Sequence, residues 1–228
     1  KPVMKRICTL LLLISSLSFA QKKSATPKIT QPPFTTADKR LQGFETRRQL
    51  EEQSLVNQVA FRSIGPTIMS GRVTDLEVNP EDPTNFYVAY ASGGLWVTSN
   101  NGLSFSPLFD REAVMTIGDI AVDWRRNTIW VGTGENNSSR SSYSGVGIYK
   151  SSDKGKTWKH MGLTESHHIG RILLHPVNPN IIHVACLGAL YSKNDNRGVF
   201  STSDGGVTWR HSLFVNSTTG AIDLVTDQ

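Results

Sequence analysis

Three carboxylates in this chain could take part in proton transfer: Asp75, Asp119 and Glu135. Hydrolysis of a glycosidic bond needs two carboxyl groups about 5–9.5 Å apart, the distance depending on stereochemical outcome. These three are the only cluster the sequence nominates, and it does not supply their separation. Four basic side chains fall near them in the repeat described below: Arg72, Arg171, His167 and His168. Arg140 lies in a long loop, 132–145, together with Glu135. Long loops on a rigid scaffold often carry function, so Glu135 is an acid or base candidate and Arg140 an anion-binding candidate. A solvated loop is an equally good reading of the same residues. The adjacent His167 and His168 are read as an exposed pair, since no second ligand pair at metal spacing accompanies them. GTGENN at 132–137 lacks the Lys and Ser/Thr of a phosphate-binding loop. No cofactor and no metal site is expected.

The elements that must position these residues come from an internal repeat. SSDKGKTW at 151–158 returns as TSDGGVTW at 202–209, and in degenerate form as TSNNGLSF at 98–105. Each octet follows a glycine–apolar–aromatic run: Gly94-Leu95-Trp96, Gly147-Ile148-Tyr149 and Gly198-Val199-Phe200. A second landmark recurs in phase, as Asp75-Leu76-Glu77-Val78, Asp119-Ile120-Ala121-Val122, Arg171-Ile172-Leu173-Leu174 and Asp223-Leu224-Val225. Between the landmarks lie FYVAYAS, TIWVGTG and IIHVACL. Each period of about 50 residues therefore holds four strand signals, the pattern of a propeller blade. The expected fold is all-β: a β-propeller of four-stranded antiparallel blades, three present over 71–109, 117–163 and 169–215, with the start of a fourth at 220–228. Three blades fall below the usual four to eight, so further blades are expected beyond this chain.

The octet itself suits a tight turn between a blade's third and fourth strands. Asp153 and Asp204 would accept backbone N–H groups across the turn, with Asn100 in that place in the first copy. Gly102, Gly155 and Gly206 would permit a positive φ. Trp158, Trp209 and Phe105 would bury a ring at the start of the outer strand. Thr98, Ser151 and Thr202 open the three turns. All twelve are assigned structural roles. The charges opening the inner strands (Asp75, Asp119, Arg171, Asp223) would either line a channel or hydrogen-bond neighbouring blades, and the second reading is the stronger.

S-x-D-x-G-x-T-W resembles the Asp-box, or bacterial neuraminidase (BNR) repeat, of a superfamily that includes sialidases, xyloglucanase-like glycosidases, sortilin-type receptors and photosystem assembly factors. RSIGPTIMSGRVTDLEVNP, YVAYASGGLWVTSNNG, IWVGTGENNSSR and HIGRILLHP resemble one subgroup more closely. That subgroup comprises exported bacterial proteins called sortilin N-terminal domain-like or BNR-repeat glycosyl hydrolase-like. The resemblance covers residues 60–228 and implies an exported propeller module that binds protein, peptide or glycan. The alternative it implies is a glycoside hydrolase acting on extracellular polysaccharide. That enzyme would be xyloglucanase-like more than sialidase-like, because Arg72 and Arg171 lack a third arginine and a tyrosine nucleophile. Whether the chain is catalytic at all stays open. Ala60-Phe61-Arg62-Ser63-Ile64-Gly65 resembles an orphan outer strand that would close a ring.

The remaining sequence bounds location and partners. Met4-Lys5-Arg6, the apolar Ile7–Leu17 and Ser18-Phe19-Ala20 read as a secretory signal peptide over 1–20. The apolar run is too short to span a bilayer. An exported protein (periplasmic, cell-surface or extracellular) is expected, with no stable membrane span after cleavage. Cleavage removes Lys1, Lys5 and Arg6 and lowers the formal charge from +5 to +2. That leaves no concentrated basic face for nucleic acid. Cys8 leaves with the signal and Cys186 stays alone, so no disulfide framework exists. Residues 21–58 read as a linker with a short helix within 37–55.

Overall fold

The runs at 117–123 and 128–133 lack strict polar alternation because the sheet they build is covered on both faces. The computed structural model describes residues 33–60, 71–138 and 142–227. The expected signal peptide, Arg140 and all but Ala60 of the orphan-strand stretch lie outside these residues. Among them are three four-stranded antiparallel sheets, each a meander. The first comprises β1 (Val73–Val78), β2 (Phe86–Tyr90), β3 (Gly94–Thr98) and β4 (Ser106–Pro107). The second comprises β5 (Ile117–Asp123), β6 (Thr128–Thr133), β7 (Ile148–Ser151) and β8 (Lys159–His160). The third comprises β9 (Ile169–Leu174), β10 (Ile182–Cys186), β11 (Gly198–Thr202) and β12 (Arg210–Leu213). The inner strands β1, β5 and β9 lie side by side.

The middle sheet shows how one strand serves two cores. Ile120, Ile129, Val131 and Tyr149 pack against Tyr87, Ala89 and Leu95 of the first sheet. Their neighbours Ala121, Trp130 and Ile148 pack against Ile172, Ile182, Val184 and Phe200 of the third. Successive side chains point to opposite faces, so a single apolar run fills both. The outer faces of the first and third sheets are open: Leu76 is 51% exposed and Leu213 54%.

Each inner strand carries a bulge at its start. The register slips between Val73 and Asp75, between Ile117 and Asp119, and where Ile169 and Arg171 face Cys186 and Ala185. The extra residues are Thr74, Gly118 and Gly170. Bulges redirect the following side chain, and the residues redirected here are Asp75, Asp119 and Arg171. At the second and third bulges glycine is a steric requirement. A Cβ on Gly118 would sit 1.9 Å from the Ile169 carbonyl oxygen, and one on Gly170 2.3 Å from that of Ile222.

Helix α1 (Ala37–Gln53) precedes the blades. Its apolar residues form no stripe; it buries only Ala37 fully, with Leu41 half-buried against the core of the first two sheets. Residues 220–227, expected to begin a further strand, form no strand here. Ala221 N–H nonetheless donates to the Cys186 carbonyl at 3.1 Å, and Ile222 packs against Gly170.

Candidate functional site

The octet turns use their carboxylates internally. Asp204 accepts from Thr202 Oγ1 at 2.7 Å, Val207 N–H at 2.9 Å, Thr208 N–H at 3.0 Å and Thr208 Oγ1 at 2.6 Å. Asp153 repeats the arrangement with Ser151 and Thr157. Asn100 accepts from Thr98 Oγ1 at 2.9 Å and Ser104 N–H at 3.0 Å. The Thr157 hydroxyl and N–H, then Ser151, hold the Asp153 carboxyl down at about 2. The Thr202 hydroxyl, then the Thr208 hydroxyl and N–H, likewise hold the Asp204 carboxyl down. Gly102, Gly155 and Gly206 adopt φ of 81°, 84° and 91°. Trp158 and Trp209 donate their indole N–H to Leu108 and Met161 carbonyls of the preceding sheet, at 2.9 and 2.7 Å. Phe105 meets Phe86 edge-on.

A second group runs along the inner strands. The Asp75 carboxylate accepts the Ile120 N–H at 3.2 Å, and Asp119 accepts the Ile172 N–H at 2.6 Å. Arg171 spans Asp119 at 3.2 Å and Asp223 at 2.8 Å. Each bulge thus aims a charged side chain at the adjoining inner strand. Asp119 is 2% exposed. Burial, and then the nearby Asp75, push its carboxyl up to about 8 against the opposing pull of the Ile172 N–H and Arg171. Glu77 rises to about 7 through burial and Asp75, with Arg171 opposing. Glu77 was missed in the sequence, although its place two residues after Asp75 on β1 puts both on one face.

A third group gathers where β5 and β9 begin and β6 ends. Glu135 is fully buried, which goes against the solvated-loop reading at this residue. The loop folds back on the blades through Glu135 N–H to Thr116 Oγ1 at 3.1 Å and Gly145 N–H to the His167 carbonyl at 2.6 Å. Its carboxylate pairs with Arg72 at 2.8 Å and accepts from Ser142 Oγ at 2.5 Å. His167 and His168 are both 2% exposed, not the surface pair expected. They are buried because residues 163–168 tuck beneath the loop and α1. His168 Nδ1–H donates to the Glu135 carbonyl at 2.7 Å. Burial lowers both imidazoles to about 4, so they are neutral at pH 7.

Four members of this group carried no signal in the sequence: Arg40, Glu165, Asn194 and Arg197. Glu165 lies 3.4 Å from His167 Nε2 and accepts the Ala37 N–H at 2.8 Å. Arg40 donates to the Gly145 carbonyl. Asn194 donates to the Glu165 carbonyl at 3.2 Å, and Arg197 to those of Leu187 and Ser192 at 2.5 and 3.0 Å. Hydrogen-bonding atoms are nevertheless left over here: Arg40 Nε and Nη2, Glu165 Oε2, Asn194 Oδ1 and Arg197 Nε are buried without a hydrogen-bond partner. Each such atom costs about 1–3 kcal/mol. A separate polar groove of about 530 Å³ runs between α1 and the blades, lined by Phe44, Arg47, Asp110, Glu112 and Trp158 among others.

No protein-family model matches the chain, and no curated protein matches it in sequence. Solved structures do. An ancestral GH74 enzyme superposes with a TM-score of 0.55 at 22% identity, over 70% of this chain and 20% of its own. A GH74 xyloglucanase from Xanthomonas campestris gives 0.47 at 13% identity, over 60% of this chain and 21% of its own. YCF48 bound to D1 peptide gives 0.43 at 14%, over 64% and 41%. The chain spans about a fifth of the length of the two GH74 structures. With three four-stranded antiparallel meanders in hand, the likeness to the ancestral GH74 enzyme settles the fold. These are propeller blades.

Within the propeller, the candidate residues fall into pairs and ladders rather than one open constellation. Arg72 joins Glu135, Arg171 joins Asp119 and Asp223, and His167 joins Glu165. Among the described residues no group of three or more His, Cys, Asp or Glu is placed to hold a metal. Cys186 is buried, and burial raises its thiol far above the ordinary range, so it is no nucleophile. No described helix is long and apolar enough to cross a membrane.

Proposed function

We propose that this chain belongs to an exported, sortilin-like BNR-repeat propeller module that binds protein, peptide or glycan without turning it over. The observation that carries this reading is the state of the two carboxylates best placed for catalysis. Asp119 and Glu135 are both buried and engaged with backbone amides, arginine or serine. A general acid or nucleophile must instead reach its substrate.

One observation favours the glycoside hydrolase alternative. Glu77 and Asp119 hold protons up to about pH 7 and 8 beside Asp75, as a general acid requires. A panel of polysaccharides and peptides, assayed for both binding and release of reducing sugar, separates the two. Binding without release is the expected result. Release abolished by Glu77→Gln, Asp119→Asn or Glu135→Gln, in variants with an unchanged circular dichroism spectrum, would overturn the binding reading.

A further inference from the structure

The group around Glu165 and His167 is covered by a piece of extended chain leading into α1. Phe34 meets the His167 ring edge-on at 5.0 Å. Three residues on, the Ala37 main-chain N–H donates to Glu165 Oε1, and one turn further Arg40 reaches the Gly145 carbonyl. An aromatic anchor, a main-chain bond and a guanidinium on a carbonyl are the contacts by which a bound peptide is held. Past this first turn α1 buries no residue fully, and the half-buried Leu41 and an Arg47 bond to the Arg111 carbonyl at 3.4 Å are what hold it behind the segment.

The fit is also incomplete. Arg40 leaves two buried nitrogens without a hydrogen-bond partner and Asn194 Oδ1 lacks one on the blade side, while Glu165 Oε2 has only a 3.4 Å approach to His167 Nε2. A segment selected only to cap this end of the blades would pair such groups, because buried polar atoms are rarely left orphaned. A peptide that spends these donors and acceptors would therefore compete for the place. We infer that this end of the second and third blades is a peptide-recognition pocket, occupied in cis by the chain's own Phe34–Arg40 segment and open to a peptide of like chemistry in trans. The inference rests on the binding reading above and narrows its ligand to a peptide with an aromatic residue and an arginine six positions later.

The pocket's apparent affinity is reduced by the fraction of molecules in which the cis segment is seated. The test uses the full chain and a fluorescein-labelled peptide of residues 33–42, followed by fluorescence anisotropy. Wild-type protein should bind it weakly. Phe34→Ala with Arg40→Ala should bind it about tenfold or more tightly, and His167→Ala should abolish binding in either background. A folded double variant that binds no more tightly than wild type, or equal binding of a scrambled peptide, overturns the inference. If the double variant does not fold, hydrogen exchange on the wild type decides. Saturating peptide should speed exchange of the Ala37 to Leu41 amides, and binding without that change sinks the idea. Glycan binding with no peptide binding refutes the inference but leaves the binding module standing, whereas binding of neither refutes both.

Discussion

Asp119 and Asp204 are both aspartates held by backbone N–H groups, and they sit at opposite extremes of proton affinity. Asp204 collects four bonds at an exposed turn and is acidified. Asp119 is sealed between inner strands with Asp75 beside it and is pushed up to about 8. Between about pH 4, the ordinary carboxyl value, and pH 8, folded Asp119 keeps a proton that the unfolded chain has released. Its contribution to stability is therefore complete at low pH and disappears as pH rises towards 8. Asp119→Asn should flatten the loss of stability between pH 6.5 and 8 in urea unfolding, and an unchanged slope would refute this placement of the proton. Gly206 makes a steric prediction. Its φ is 91°, and an added Cβ would lie 2.8 Å from the Trp130 ring. Gly206→Ala should cost roughly 1–3 kcal/mol by denaturant titration.

At the level of elements, the four-stranded sheet and α1 are stabilised differently. A blade adheres to its neighbour through apolar faces and the tryptophan that opens its outer strand. Trp209 packs on the core between the second and third sheets and donates to the Met161 carbonyl. Trp209→Ala should cost roughly 2–4 kcal/mol, combining lost burial with an orphaned carbonyl. Helix α1 buries only Ala37 fully, with Leu41 half-buried against the core. Gly43, with nothing within 4 Å of a built Cβ, costs helix propensity and returns nothing in packing. Gly43→Ala should raise helicity by about 0.5–1 kcal/mol locally while leaving the unfolding midpoint of the blades unmoved. A large midpoint shift would mean that α1 is coupled to the blades more tightly than its contacts indicate.

For the whole molecule, opposing titrations set the pH range of greatest stability. His167 and His168 fall to about 4 on folding. From the ordinary value of about 6.5 down to 4, the unfolded chain takes up protons that the folded chain refuses, so acid destabilises. In that window Asp119 and Glu77, raised to about 8 and about 7, pull the other way, so two carboxyls oppose two histidines. Above about 6.5 Asp119 acts with Glu77 and without the histidines. Stability should stay nearly level from about pH 4.5 to 6.5 and fall above it by at most about 1.4 kcal/mol per pH unit per net group. A stability that climbs steadily to pH 8 would show that Asp119 is ionised in the folded state. The same scale shows how the blades are joined. Asp75 reaches Ile120, Asp119 reaches Ile172, and Arg171 reaches Asp223. One contact logic passes from each inner strand to the segment after it.

Repetition made the fold readable. Two octets with Asp, Gly, Thr and Trp in phase, and four strand signals per period, specify a turn and a sheet from local chemistry alone. Local hydrogen bonding also made the octet carboxylates recognisable as structural, because donor and acceptor lie within four residues of each other. The site was legible only in part. Asp75, Asp119 and Arg171 stood out by recurring, but Glu77 did not, and the bulges that aim them depend on strand register that no single strand reveals. His167 and His168 were read as exposed and are buried, and Glu135 proved buried where a solvated loop was one of two readings, since burial is decided by what folds over a residue. The contact between Ala37 and Glu165 joins positions 128 apart. No spacing rule links such residues, and only the closing of α1's first turn over the blades brings them together.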